Sequence, residues 1–544
     1  MKISTSLTKW FLLFLLTLLL GSVMPASAQP HQNGHTPPAG LTATDWQQIT
    51  AQLPPHAYTP TTPLAGIPLI QQAYFKASNP DPSDSFGVAV AVSSNTVVIG
   101  AEEEDSNATG INGNQANNDA DHAGAAYVFV RNGSTWTQQA YLKASNTEAD
   151  DRFGYAVAIS DDTIVIGAAF EDSNATTING NQSNNGAPNA GAAYVYVRNG
   201  VTWSQQAYLK ASNSNQGDFF GLTVAVSHDT LVVGASFEDS NATGVNGNQA
   251  NNDLGQAGAA YIFVRNGNSW SQQAYLKASN TDMLDQFGYS VAVSGDTVVV
   301  GAKFEDSNAM GVNGNQDDDT ALDSGAVYIF VRNGITWSQQ VYLKASNTVA
   351  YYNFGHAVAI SGNTVVVGSP RESSDSVGVN GDQTNVAAPD AGAAYVFIRN
   401  GVAWSQQAYL KASNTGASDS FGKAVAISGD LIAIGASDED SNATGINGNG
   451  ANNSSMFAGA AYTFSRSGNS WNEPDYVKAS NTDMGDYFGI SVAVSDEIIV
   501  VGAYSEDSNA TGVNGNQTNN SAGNSGAVYT FVAVNTVYLP LLTQ

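Results

Sequence analysis

Seven Phe-Gly pairs, beginning at Phe86, Phe153, Phe220, Phe287, Phe354, Phe421 and Phe488, stand 67 residues apart without a single insertion or deletion. The Gly that ends the next apolar run keeps the same interval, from Gly100 and Gly167 to Gly435 and Gly502. Six tryptophans from Trp136 to Trp471 mark the same period again. A repeat this long and this strict means an array of like units, each meeting its neighbours in one way.

One period shows what the unit is. Residues 153–160, "FGYAVAIS", mix small and β-branched residues and predict a strand. Two aspartates turn the chain into a second strand, "TIVIGA". After a long polar segment, "GAAYVYVRNG" predicts a third strand ending in the hairpin pair Asn199-Gly200, and "WSQQAYLKAS" a fourth. Four strands joined by tight turns at one end describe a propeller blade. The small residues of the first strand suit the crowded axis, whereas Tyr, Trp and Leu of the later strands fill the widening wedge. A linear β-solenoid has shorter repeats and lacks paired hairpins. The expected fold is therefore all-β, a seven-bladed β-propeller of four-stranded blades across residues 69–544. The last unit runs out before its fourth strand, and residues 69–78, "LIQQAYFKAS", fit that slot far better than the C-terminal "VYLPLLTQ". The latter is expected to add at the edge.

Composition sets the partners. The 544 residues carry 47 acidic against 19 basic side chains, a net charge of −28. Such a surface repels nucleic acid and anionic lipid and attracts cations or basic partners. There is no cysteine, which excludes disulfides and thiol catalysis. Residues 1–28 read as a signal peptide: Lys2 and Lys9, a short apolar run, then "ASA" before Gln29. Residues 29–68 read as a Pro/Thr-rich linker with a short helix around 44–53. The mature chain, without membrane insertion, is expected to be secreted or held at the cell surface.

The order Phe-Gly, eleven or twelve residues, "GA" or "GSP", then "GAAYVFVR" and a Trp-led strand resembles the FG-GAP repeat of integrin-α-type propellers. More closely, it resembles bacterial secreted proteins built from such repeats. The resemblance implies the fold, on which binding, adhesion and enzymatic roles alike are found. It also implies calcium, in a loop between the first two strands. Here that connection is a turn such as "SGDT" at residues 294–297, too short for a cage of oxygens, so those calcium positions do not transfer.

Strand direction puts the long second-to-third connection and the fourth-to-first connection of every blade on one face, an acidic crown. The long loop repeats "DSNATG", with oxygen ligands at alternate positions before a Gly, as a calcium loop opens. The candidate ligands of a calcium cofactor are Asp105, Asn107 and Thr109; Asp172 and Asn174; Asp239, Asn241 and Thr243; Asp306 and Asn308; Asp440, Asn442 and Thr444; Asp507, Asn509 and Thr511. The acid expected at position twelve is absent (Ala116 in the first copy). Glu104 or Asp84 and their equivalents could supply the missing oxygens. The bland alternative is a turn-rich spacer copied with its blade. Blade five departs in both loops: Tyr351, Tyr352, His356 and Arg371 form a candidate ligand patch. No nucleophile elbow, zincin helix or phosphate loop occurs. The expectation is a non-enzymatic binding or adhesion protein, with extracellular protein, polysaccharide or divalent cations as partners. The alternatives are a polysaccharide hydrolase or lyase working in the central channel, and a passive structural component.

Overall fold

A computed structural model of the chain describes residues 69–533. The expected signal peptide, the expected linker with its short helix, and the C-terminal segment 537–544 lie outside the described residues. Within them are seven antiparallel sheets. In blade two the strands are Ala156–Ser160, Thr163–Ala168, Ala192–Asn199 and Thr202–Leu209, laid side by side in chain order. The first strand of each blade touches the first strands of both neighbours, all the way round, so these strands line the axis. Every second strand is buried along its whole length, because both faces of the sheet are covered by other blades. The core is accordingly a set of layers between blades: Val232, Ala260 and Ile262 of blade three pack on Phe287, Val298 and Tyr328 of blade four.

The repeated glycines lock blade to blade. Gly154 has φ +97°, and a Cβ there would lie 2.2 Å from the carbonyl oxygen of Ala125 in blade one. A Cβ on Gly100 would lie 2.0 Å from the carbonyl oxygen of Gly154. Only two bare backbones can approach this closely. The Phe-Gly pair itself departs from expectation. In six blades Phe-Gly forms a turn ahead of the first strand, and only Phe287–Ser294 in blade four extends through it. The third-to-fourth hairpins differ slightly too, since Asn199 pairs with Thr202 and Gly200, at φ +65°, is the first of two loop residues.

The ring closes as expected. Leu69–Phe75 pairs antiparallel with Ala527–Ala533 and becomes the fourth strand of blade seven. Gly502 faces the carbonyl oxygen of Gly87 across that seam, repeating the Gly100–Gly154 contact. On the face of tight turns, Arg198 lies over Trp203 at 5.1 Å and binds Asp162, while the indole N–H of Trp203 donates to Gln139 of blade one at 2.8 Å. This cluster recurs from blade to blade, as at Arg265, Trp270 and Gln206.

Candidate functional site

The long loop lies flat against its own blade. In blade one, Asp105, Asn107 and Thr109 point outward, while Ser106 and Ala108 are buried. Gly110, at φ +73°, turns the loop onto the outermost strand. There Lys143 N–H donates to the Gly110 carbonyl, Asn112 N–H to the Tyr141 carbonyl, and Tyr141 N–H to the Asn112 side chain. The loop thus covers the top of an exposed sheet edge, where unpaired backbone would otherwise face solvent. In blade two Thr177 replaces this Gly, and both backbone bonds of the Gly110 position disappear along with the β-bridge at Ile111. A β-branched side chain resists the left-handed conformation, so the loop stays off the strand end.

Under each loop sits a buried ion pair. Glu104 is 1% exposed, and its carboxylate accepts from Lys143 Nζ at 2.9 Å and from the Tyr141 hydroxyl at 2.8 Å. It also accepts from the Asn79 amide of the preceding connection at 3.0 Å. The pairing recurs seven times, as Lys210–Glu171 through Lys478–Glu439, and at the seam as Lys76–Glu506. Glu104 and its equivalents are therefore committed to lysine and do not complete an oxygen cage.

The other expected cation ligands are also placed. Oδ1 of Asp105 accepts the His122 N–H at 2.7 Å, and the same bond recurs at Asp172, Asp239, Asp306, Asp440 and Asp507. The Asn107 amide pairs with Asn117 at 2.9 Å. Thr109 is exposed, as are Asn174, Asn241, Asn308, Asn442, Asn509, Thr243, Thr444 and Thr511. These side chains alternate along an extended segment and do not wrap around a point. Among the described residues no group of three or more His, Cys, Asp or Glu side chains is arranged to hold a metal ion. The aspartate two residues before Phe-Gly turns inward instead. Asp285 accepts the Asp282 N–H at 3.0 Å, and burial pushes its carboxyl up to about 8, aided by Glu305.

Blade five corrects one expectation. Tyr352 is 5% exposed and fills the position of the buried aspartate, so it is a packing residue and offers no surface. Arg371 is held by Asp390 at 3.0 Å, replacing the cap lost where Ser373 stands for Asp. Tyr351 is exposed, and His356 turns to the axis. The four do not gather into one patch.

What does gather is a set of residues that differ from blade to blade. The position after Phe-Gly begins the first strand on the loop face, beside the axis. It holds Val88, Tyr155, Leu222, Tyr289, His356, Lys423 and Ile490, all half-buried. Behind them stand the residues before Phe-Gly, among them Arg152, Phe219, Gln286 and Tyr487, and those after Gly-Ala, among them Glu102, Ser236 and Lys303.

A family model described as FG-GAP repeat matches seven times, at residues 70–129, 136–196, 203–263, 270–330, 337–397, 404–464 and 471–531. The chain is an FG-GAP repeat protein. Each match starts in the fourth strand of one blade and ends in the third strand of the next, so the family's unit is offset from the blade by one strand. FG-GAP repeats are typical of extracellular or surface proteins. Among the described residues no helix is long and apolar enough to cross a membrane. No curated protein matches the chain.

The axial mouth of this FG-GAP propeller has distinct sides. Across blades two and three it is aromatic: Phe219 meets Phe170 and Phe237, both at 5.0 Å between ring centroids. Arg152 lies over Phe170 at 5.0 Å and near Glu102 and Glu103 at 3.6 and 3.5 Å. Burial pushes the Glu102 carboxyl up to about 7 against the pull of Arg152. Across blades four to six the mouth is basic. Lys303 Nζ stands 3.4 Å from the Tyr289 ring centre, and Tyr289 meets His356 at 5.2 Å. Burial lowers Lys303 to about 8. Burial, with Lys303 and Lys423 nearby, lowers His356 to about 3, so its imidazole is neutral. Lys423 reaches Asp438 at 3.4 Å. At blade seven Tyr487 stacks on Phe457 at 5.5 Å and meets Tyr504 at 5.4 Å. Three buried polar atoms here, Glu102 Oε2, Ser236 Oγ and Gln286 Oε1, have no hydrogen-bond partner.

Proposed function

We propose that this FG-GAP propeller is an exported binding protein that engages an extracellular protein or polysaccharide through its axial mouth, without catalysis. The observation that carries this reading is the break in repetition. Backbone and core are copied seven times, yet the side chains beside Phe-Gly and Gly-Ala vary widely from blade to blade, with Val88, Tyr155, Leu222, Tyr289, His356, Lys423 and Ile490 at one position. Half-buried aromatic and basic groups on a rigid frame favour recognition, because they lose little conformational freedom on contact. Export agrees with the acidic surface and the signal-like residues 1–28. A glycosidase needs two carboxyl groups facing one bond across several ångströms. Glu102 and Glu103 are chain neighbours drawn to one arginine, which weighs against that chemistry.

The test is binding of the purified mature protein to a panel of extracellular polysaccharides and matrix proteins by biolayer interferometry. Phe219→Ala combined with Tyr487→Ala should weaken capture at least tenfold, while Asn107→Ala with Asn241→Ala should leave it unchanged. Loss with the loop variant alone would move the site to the crown and sink this reading.

A further inference from the structure

The described residues hold nine lysines, and seven of them are buried against the repeated glutamates. Six arginines are spent over tryptophans at the opposite face. Four cations remain, Arg152, Lys303, Arg371 and Lys423, each present once and all on the loop face. Arg152, Arg371 and Lys423 have carboxylate partners, whereas Lys303 rests on the rings of Tyr289 and Phe304 at 3.4 and 4.5 Å and makes no ion pair. An under-solvated ammonium with no direct ion pair among the described residues, its nearest acid Asp323 acting only at a distance, is unusual in a protein of charge −28.

We propose that Lys303 and His356, which meet the ring of Tyr289, together with Lys423 of blade six, seat a single carboxylate carried by a compact ligand, either a uronic-acid sugar or a small organic acid. This deepens the reading of the axial mouth as the ligand contact and rests on it. Lys303 supplies the unpaired charge, and Lys423 a second at 3.4 Å from Asp438, long enough for that carboxylate to be exchanged for the ligand's. His356, in the blade between those of the two lysines, offers an imidazole N–H as a donor. Toward blade three, Ser236 and Gln286 hold buried polar atoms that lack partners. A long polyanion is disfavoured by the surrounding negative field, which a single acid entering the mouth largely escapes.

The test follows the ring signals of histidine-labelled mature protein, with His356 assigned from a His356→Gln variant, during titration with D-galacturonate, malonate and neutral D-galactose. Both acids should move the His356 signal and galactose should not. Lys303→Gln combined with Lys423→Gln should weaken the acids at least tenfold while the melting temperature stays within about 2 °C. Tighter binding of galacturonate than malonate supports the sugar source, and equal binding the free acid. Equal response to galactose, or undiminished binding by the double variant, overturns the proposal. Capture of a polymer that is insensitive to both lysines would sink the carboxylate seat alone. A His356 response without capture of any polymer or protein would sink the adhesion reading alone.

Discussion

The second-to-third loops and the axial mouth occupy the same face of the propeller and are built by opposite rules. The loops are near-copies whose polar side chains answer one another: Glu104 to Lys143, Asp105 to the His122 N–H, Asn107 to Asn117. The mouth residues are unlike one another and leave groups unanswered, Lys303 without a carboxylate and Ser236 without a partner. Buried polar groups are nearly always satisfied when their task is to hold a fold. The difference teaches that in this repeat protein the copied chemistry is structural, and the places where copying failed are where a ligand would be met.

Four outcomes break or sharpen that contrast. The largest is expected from Glu238→Ala, which strands Lys277 in a dry site. It should cost about 3–5 kcal/mol in urea unfolding, with ligand capture by the folded protein intact. A cost under about 1 kcal/mol would show that the pair is not the keystone its burial suggests. The next concerns pH. The buried aspartates titrate near 8 in the folded chain, against about 3.9 unfolded, so folding favours their protonated form. That contribution is complete below pH 4 and is lost as pH rises toward and through 8. The melting temperature should therefore fall between pH 5 and pH 8, and Asp285→Asn should flatten the fall. An unchanged slope would mean that the carboxyl is charged and solvated.

A smaller effect is expected from Thr177→Gly, which gives blade two the turn that the other loops use. Two recovered backbone bonds, set against the freedom of Gly in the unfolded chain, should yield about 1 kcal/mol of stability. The smallest belongs to calcium. With each loop aspartate already holding a backbone N–H, millimolar calcium and a chelator should give melting temperatures within about 1 °C of each other. A calcium-dependent rise would return Asp105 and its equivalents to the ligand list by linkage.

The fold was legible because a strict 67-residue interval leaves few architectures, and because residues 69–78 carry a fourth-strand pattern that their own end of the chain cannot use. The Lys–Glu pairs were missed although their signal was present: Lys143 and Glu104 each recur seven times at fixed phase in a chain poor in lysine. Spacing alone does not reveal that two charges 39 residues apart share a buried site. The loop was readable as turn-rich, but its docking on Tyr141 depends on a backbone bridge that has no composition. Blade five drew notice because it broke a motif, and His356 was the part of that break facing the axis. The remaining mouth residues sit beside the repeated Phe-Gly and Gly-Ala pairs and share no motif of their own. Comparing those columns across blades would have found them.

The seam has a consequence for how the ring is made. Leu69–Phe75 is the first described strand of the chain, and its partner Ala527–Ala533 is the last. Six sheets can assemble from neighbouring stretches as the chain emerges, but the seventh must wait for residues more than 450 positions away. A chain cut short would leave Lys76 without Glu506 and a strand edge exposed. Closure therefore doubles as a check on the last blade: only a chain that reaches Ala533 can pair its first described strand.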